Sequence, residues 1–473
     1  MEIDSGAFVE KARVALADPT LQHALKHIKH GFVEARARAA ENLPGFESMR
    51  DHARDIKART IANLADYLEQ FEANVTSVGG HVHWARDAEE ARRIVGDICR
   101  QAGARTVTKS KSMVTEEIEL NAYLEAQGIV PVETDLGEYI IQLRKEKPSH
   151  IIAPVIHLSK AQVADTFHEH HAQYGFHERL TERGDMVREA RSILRERFVA
   201  ADVGITGANF LIAETGSAVV VTNEGNADLT ASLPDTHIVV TGIEKLVPTL
   251  DDCHTLLRLL TRSATGQDIT TYMSFFTGPR RGGDLSGPSA FHVVLVDNGR
   301  SDMIGTEFEE MLRCIRCGAC LNHCPVYANI GGHAYGSVYP GPMGAVLTPS
   351  LSGIEKAGHL PNASTVCGRC EEVCPVRIPL PRMMRHWRER EFERHLSPRG
   401  MRWGMGFWAV LTDHPRTYRI GLWIASRALR LIAWRGWISR LPLAGGGWTA
   451  FRDMRAPSGG TFQRQWRKRG GRR

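Results

Sequence analysis

Seven of the chain's nine cysteines fall between positions 314 and 374, and their spacing is that of metal ligands. The first run reads Cys314-Ile-Arg-Cys317-Gly-Ala-Cys320-Leu-Asn-His-Cys324-Pro325. This is a C-x2-C-x2-C-x3-C-P pattern, in which three thiolates grip one iron–sulfur cubane and the fourth reaches across to a second cluster. The second run, Cys367-Gly-Arg-Cys370-Glu-Glu-Val-Cys374-Pro375, fits the same template with one position missing. Aligning the C-x3-C-P ends places Ser364 where the absent cysteine would stand.

The exchange of the last cysteine assigns Cys314, Cys317, Cys320 and Cys374 to a complete [4Fe–4S] cluster. Cys324, Cys367 and Cys370 then give only three thiolates to a second one. Ser364 oxygen, another protein or solvent ligand, or a [3Fe–4S] cluster would each accommodate the gap, and the sequence does not choose among them. Zinc, the plainer use of C-x2-C pairs, wants two pairs of ligands, whereas here three cysteines crowd into residues 314–320 and each run ends in Cys-Pro. Gly318 and Ala319 are small, as a backbone wrapped near inorganic sulfide requires. Cys99 and Cys253 lie in helical patterns and read as packed thiols.

Elements of several kinds must position these ligands. Residues 1–75 show helical periodicity through Ile56, Ile61, Leu64, Tyr67 and Leu68. Residues 76–300 alternate strands with helices, which implies an α/β domain with a largely parallel sheet. Predicted strands are 105–108, 129–133, 151–154, 218–222, 238–241, 272–276 and 291–296. Predicted helices include 115–127 and 248–260, and the Gly- and Pro-rich stretch 278–288 reads as a loop. Residues 301–385 carry the cysteines. The irregular 42 residues between Cys324 and Cys367, with Gly331-Gly-His-Ala-Tyr-Gly336 and Tyr339-Pro-Gly-Pro342, favour an α-helical ferredoxin-type module over a compact hairpin one.

Residues 386–473 form a separate tail. From His395 onward there are 16 Lys/Arg against two acids, Asp413 and Asp453, leaving 43 against 52 before it, so a body of about -9 carries a tail of +14. Seven of the nine tryptophans lie there too. Helices mixing Trp408, Trp423, Trp434 and Trp437 with Arg416, Arg419, Arg427 and Arg430 suit an acidic partner first and an anionic membrane surface second. No base-reading motif accompanies the basic charge, so nucleic acid is not expected. Nothing approaches the ~18 apolar residues of a membrane span, and the acidic start Met1-Glu2-Ile3-Asp4 is unlike a secretory signal. A cytoplasmic protein is the expectation, with the tail as its route to peripheral membrane contact.

Other groups admit chemistry but have simpler readings. Glu214-Thr-Gly-Ser217 sits between strands, where a glutamate nucleophile would be placed in an α/β sheet, yet a tight turn needing Gly216 explains it first. Asn223-Glu-Gly-Asn226 reads as turn chemistry before a pocket wall. Thr108-Lys-Ser-Lys-Ser112 before a helix is an anion-site candidate or a solvated loop. His168 and His171 share a helical face, read as an exposed one.

The cysteine runs, together with Gly331–Pro342, Gly204-Ile-Thr-Gly-Ala-Asn-Phe-Leu-Ile-Ala-Glu-Thr-Gly-Ser217, Val221-Thr-Asn-Glu-Gly-Asn226 and Gly242-Ile-Glu-Lys-Leu-Val-Pro248, resemble the lactate utilization protein B family over nearly the whole chain. The resemblance implies a LUD domain, with the fold shared by glucosamine-phosphate isomerases, ribose-phosphate isomerases and CoA transferases, followed by the two-cluster module. It implies an electron-transfer subunit in oxidation of L-lactate to pyruvate, working with a cysteine-rich redox subunit and a smaller LUD-domain protein. It also carries the cluster ligands onto all seven cysteines. The alternative is a stand-alone enzyme using the LUD pocket, with Glu214 or an open cluster iron acting on a small carboxylate.

Overall fold

The structure, a computed structural model, describes residues 3–458 and 460–470. Its chain divides into two compact units, Met1–Glu391 and Phe392–Arg473. In the first, ten strands follow in order: β1 (His81–Ala85), β2 (Thr106–Lys109), β3 (Val130–Glu133), β4 (Val203–Thr206), β5 (Phe210–Ile212), β6 (Ser217–Thr222), β7 (Thr236–Gly242), β8 (Leu246–Val247), β9 (Tyr272–Phe276) and β10 (Ala290–Val296).

Six of them make a wholly parallel sheet in the order β1-β10-β7-β4-β2-β3. Its central strands are apolar without alternation, as with Ile238-Val239-Val240 and Val293-Val294-Leu295-Val296, all buried. Such runs are what a parallel sheet covered on both faces demands. The chain runs from β2 outward to β3 and then returns to the other side of β2 with β4, so its direction of winding reverses between β2 and β4. A smaller sheet, β8-β5-β6-β9, is antiparallel except where β5 meets β8.

Several expected elements differ. Residues 151–154, expected as a strand, form an irregular segment. Pro148 and Pro154 lack amide donors for a ladder, and the N–H groups of Ile152 and Ala153 donate instead to His150 Nδ1 at 3.1 and 3.2 Å. The expected helix 115–127 is two short ones, Met113–Glu117 and Leu120–Ala126, broken where Glu119 adopts φ 56°. The other expected helix runs over Leu250–Thr265, capped by the Thr249 hydroxyl, which accepts from Asp252 N–H. Expectation passed over β1, β4, β5 and β8.

Helices from Phe8 to Ser77 precede the sheet. Ala53, Ile56 and Phe46 share one core with Tyr327, Tyr339 and Met343 of the cysteine-bearing region, which is built of short helices and turns. The N-terminal helices are thus part of the scaffold around the cysteines. The second unit holds helices Arg399–Asp413 and Pro415–Leu431, neither with a buried residue, a two-stranded ribbon (Trp437–Ile438 with Met454–Arg455) and helix Phe462–Gly470. No helix among the described residues is long and apolar enough to cross a membrane.

Candidate iron–sulfur centre and its neighbouring cavity

All nine cysteines are free thiols, and they fall into distinct places. Cys314, Cys317, Cys320 and Cys374 line one cavity of about 380 Å3, open space at its mouth included, together with Arg316 and the apolar Ile151, Met311, Met343 and Pro375. In a second set, Cys324 and Cys370 both lie close enough to Cys367 to feel its sulfur. Cys320 of the first set also senses Cys370 of the second. Cys99 and Cys253 are buried elsewhere, in helices Ala88–Gln101 and Leu250–Thr265.

The donor set fits iron–sulfur ligation. Burial pushes the Cys317 thiol up to about 12, with the Cys374 sulfur adding to it, and pushes Cys374 up to about 11. Four sulfurs gathered in so dry a site cannot ionise side by side unless a metal supplies positive charge. Backbone amides are turned toward two of them: Tyr327 N–H to Cys324 Sγ at 3.5 Å and Ile378 N–H to Cys374 Sγ at 3.4 Å. Such N–H···S bonds are among the features that set cluster potentials. Cys367 is the exposed member. Ser364, at the template's missing position, has its hydroxyl accepting from Val366 N–H at 3.1 Å.

Two buried arginines from the N-terminal helices hold the second cysteine run in place. Arg50 Nη2 donates to the Cys374 carbonyl at 2.8 Å, and Arg36 Nη2 to the Val373 carbonyl at 2.9 Å. Sequence reasoning missed both, because an arginine on an amphipathic helix carries no mark of facing inward.

A buried charge network joins the first cysteine loop to the parallel sheet. Arg316, between Cys314 and Cys317, donates to Glu244 Oε1 at 3.2 Å and lies 4.9 Å from the Tyr339 ring centroid. Glu244 Oε2 accepts from Arg300 Nε at 2.7 Å, and Arg300 grips Glu117 with two further bonds at 2.9 and 2.7 Å. Tyr339 donates its hydroxyl to Glu117 at 2.6 Å, and Lys57 caps the Glu244 and Leu246 carbonyls at 2.6 and 3.0 Å. Burial opposes ionisation of Glu244, but the adjacent guanidinium groups prevail and hold it down at about 2.

Contact between domain and loop is close at Gly318, whose φ of 73° suits glycine and where a Cβ would come within 2.9 Å of Ile152. Its smallness therefore serves the packing of the loop on residues 150–152. His150, buried and pushed down to about 3 by its burial, is neutral and joins its ring to Asn322 Oδ1 at 3.0 Å. Further out, Glu146, His157 and His333 bring ligand-type atoms within 4.8 Å of one another, and His333 also contacts the Lys147 carbonyl, fastening the Gly-rich loop to the α/β domain.

A larger cavity of about 1350 Å3, open mouth included, lies beyond the carboxyl ends of β2, β4 and β7 and reaches Arg316 and Tyr339. Ser110, Lys111, Ser112, Asn223, Glu224 and Asn226 line it, whereas Glu214 does not. Glu214 Oε2 accepts from Leu250 N–H at 2.9 Å, and Gly216 at φ 66° makes the tight turn. Lys109, from the anion-site candidate, is consumed by Glu116 and Glu133 at 2.6 and 2.7 Å. His171, expected on an exposed face, is buried between Glu189 at 2.6 Å and the Tyr139 hydroxyl at 3.0 Å, because helix Arg183–Ala200 covers it.

Comparison with known proteins accords with this architecture. Residues 68–296 match the LUD domain, 310–378 a 4Fe-4S dicluster domain and 380–471 the C-terminal region of lactate utilisation protein B. A DUF162 family protein from Deinococcus radiodurans aligns at 15% identity and TM-score 0.27, covering 49% of this chain and 98% of that one, a likeness too loose to bear on the fold. Lactate utilization protein B of Bacillus velezensis is 44% identical, over 99% of this chain and 98% of its own. The protein of that name from Geobacillus kaustophilus is also 44% identical, over 100% and 99%. With that identity sustained from end to end, and with an α/β LUD domain leading into a dicluster module and a helical C-terminal region, the chain belongs to the lactate utilization protein B family.

Proposed function

We propose that the chain is the electron-relay subunit of a complex that oxidises L-lactate to pyruvate. The observation that carries this reading is the gathering of Cys314, Cys317, Cys320 and Cys374 around one cavity with Cys324, Cys367 and Cys370 beside them. Bound there, iron–sulfur clusters supply one-electron acceptance and donation. The polypeptide keeps the sites dry through Ile151, Met311 and Met343, places Arg316 beside the first and leaves Cys367 of the second at the surface, where an electron can leave.

The partners in this reading are a cysteine-rich redox subunit and a smaller LUD-domain protein. The basic second unit is where they dock: Trp403, Phe407, Ile420 and Trp423 are exposed, and Arg427 stands 4.6 Å from the Trp423 ring. Aromatic side chains interleaved with guanidinium groups suit an acidic protein surface. The relay reading is tested with the anaerobically purified chain, L-lactate and an artificial dye acceptor. No turnover is expected from the chain alone and turnover on adding the two partners; lactate oxidation by the chain alone would establish a self-sufficient enzyme instead.

A further inference from the structure

We propose that the cavity between the parallel sheet and the first cysteine loop binds a small organic carboxylate, seated on the ammonium of Lys245, and that its charge is felt at the adjoining cluster. The location is where the fold makes a ligand site. The winding of the sheet reverses between β2 and β4, and the residues following those two strands, with the end of β7, form the cavity wall. In open α/β sheets ligands meet the carboxyl ends of strands at such a reversal.

Two polar groups in the wall lack hydrogen-bond partners. Lys245 is 6% exposed, and its ammonium lies within the electrostatic reach of Glu244 and Cys314 but makes no hydrogen bond with a described residue. Thr241, 1% exposed at the end of β7, has a hydroxyl with no hydrogen-bond partner. A buried ammonium left without a hydrogen-bond partner is costly, and an oxyanion in the cavity satisfies it, with the Thr241 hydroxyl the further donor this wall offers. The cavity's other cations are already engaged: Lys111 donates to the Ile152 carbonyl at 2.7 Å and Arg316 to Glu244 at 3.2 Å. With one lining cation free of hydrogen bonds, and with Asp135 and Glu224 also in the wall, the cavity suits a singly charged carboxylate better than a doubly charged phosphate.

The coupling follows from what the site adjoins. Arg316 and Ile151 line both this cavity and the one ringed by Cys314, Cys317, Cys320 and Cys374, and Lys245 is near enough to sense the charge of Cys314. An anion on Lys245 disfavours an added electron nearby, so binding lowers the potential of the first cluster and reduction weakens binding by the reciprocal factor. A tenfold loss of affinity on reduction corresponds to a fall of ~59 mV for one electron. Binding stands apart from the relay reading; only the potential shift rests on it.

The test is calorimetric titration of the anaerobically purified, cluster-bearing full chain with L-lactate, pyruvate and inorganic phosphate, repeated for Lys245→Gln and Thr241→Val. One site for at least one carboxylate is expected, weakened at least tenfold by Lys245→Gln and severalfold by the isosteric Thr241→Val, with phosphate unbound. Absence of carboxylate binding, preference for phosphate, or affinity unchanged in both variants would overturn the site. A redox titration followed by electron paramagnetic resonance should show the first midpoint falling with the bound carboxylate; an unmoved midpoint with binding intact would overturn the coupling alone.

Discussion

The guanidinium of Arg316 and the carboxylate of Glu244 meet at 3.2 Å, joining the segment between Cys314 and Cys317 to the polypeptide that leaves β7. A residue inside the cysteine loop is thereby tied to the core of the α/β domain. Because Arg300 and Glu117 extend the same network, the loop's position depends on the segments that follow β7 and β10 and on helix Met113–Glu117. Replacing Arg316 with Met removes one cation from this set and leaves Glu244 with Arg300 as its remaining ion-pair partner. The expected cost in denaturant unfolding is about 3 kcal/mol, the lower part of the range for breaking a buried pair. The same change should lower the midpoint potential of the first cluster in a redox titration.

Arg50 is expected to govern how firmly the first cluster is held. Its guanidinium bonds the carbonyls of Cys374 and Glu372, so Arg50→Ala removes these charged hydrogen bonds and leaves the Cys374 carbonyl with only the Arg377 N–H at 3.2 Å, at a cost of about 1–3 kcal/mol. Iron release to a chelator should be several times faster in the variant. An unchanged release rate would mean that the second cysteine run is held by other contacts.

Glu138 gives a pH dependence with a definite sign. Burial pushes its carboxyl up to about 8, opposed by Lys111 and reinforced by Glu116, Glu133 and Asp135, and its Oε1 has no partner. Since the folded state holds the proton more tightly than the unfolded chain, this stabilisation is complete below pH ~4.5 and is lost as pH rises through about 8. Relative to Glu138→Gln, the natural protein should lose stability between pH 5 and 8 by at most about 1.4 kcal/mol per pH unit. Parallel stability curves for the two would contradict the assignment.

For the second unit, a full-length chain carrying Trp423→Ala and Arg427→Ala should keep its clusters and lose co-purification with the proposed redox partners at least severalfold. Retained co-purification, together with lost binding to anionic phosphatidylserine vesicles, would reassign these helices to a membrane surface.

Local spacing made the cysteine runs and the apolar strands readable, because ligand geometry and covered parallel strands each leave a short-range signature. Ile238–Val240 is continuous apolar sequence and forms the centre of the sheet. What escaped depends on long-range placement. Arg36, Arg50 and Arg300 have nothing in their surrounding sequence to distinguish them from solvated arginines, yet they bond carbonyls and carboxylates far away along the chain. Residues 151–154 looked like a strand by composition alone; the His150 ring supplied a competing acceptor that propensity does not register. Lys245 and Thr241 likewise became notable only once β7 was seen to end at a cavity.

The most direct test of the central claim is iron and acid-labile sulfide analysis of the anaerobically purified full chain, combined with electron paramagnetic resonance before and after reduction. The account predicts a brown protein with iron and sulfide sufficient for two clusters and a reducible [4Fe–4S] signal that disappears in Cys374→Ser. A colourless, folded, iron-free protein that still supports lactate oxidation with the proposed partners would contradict it.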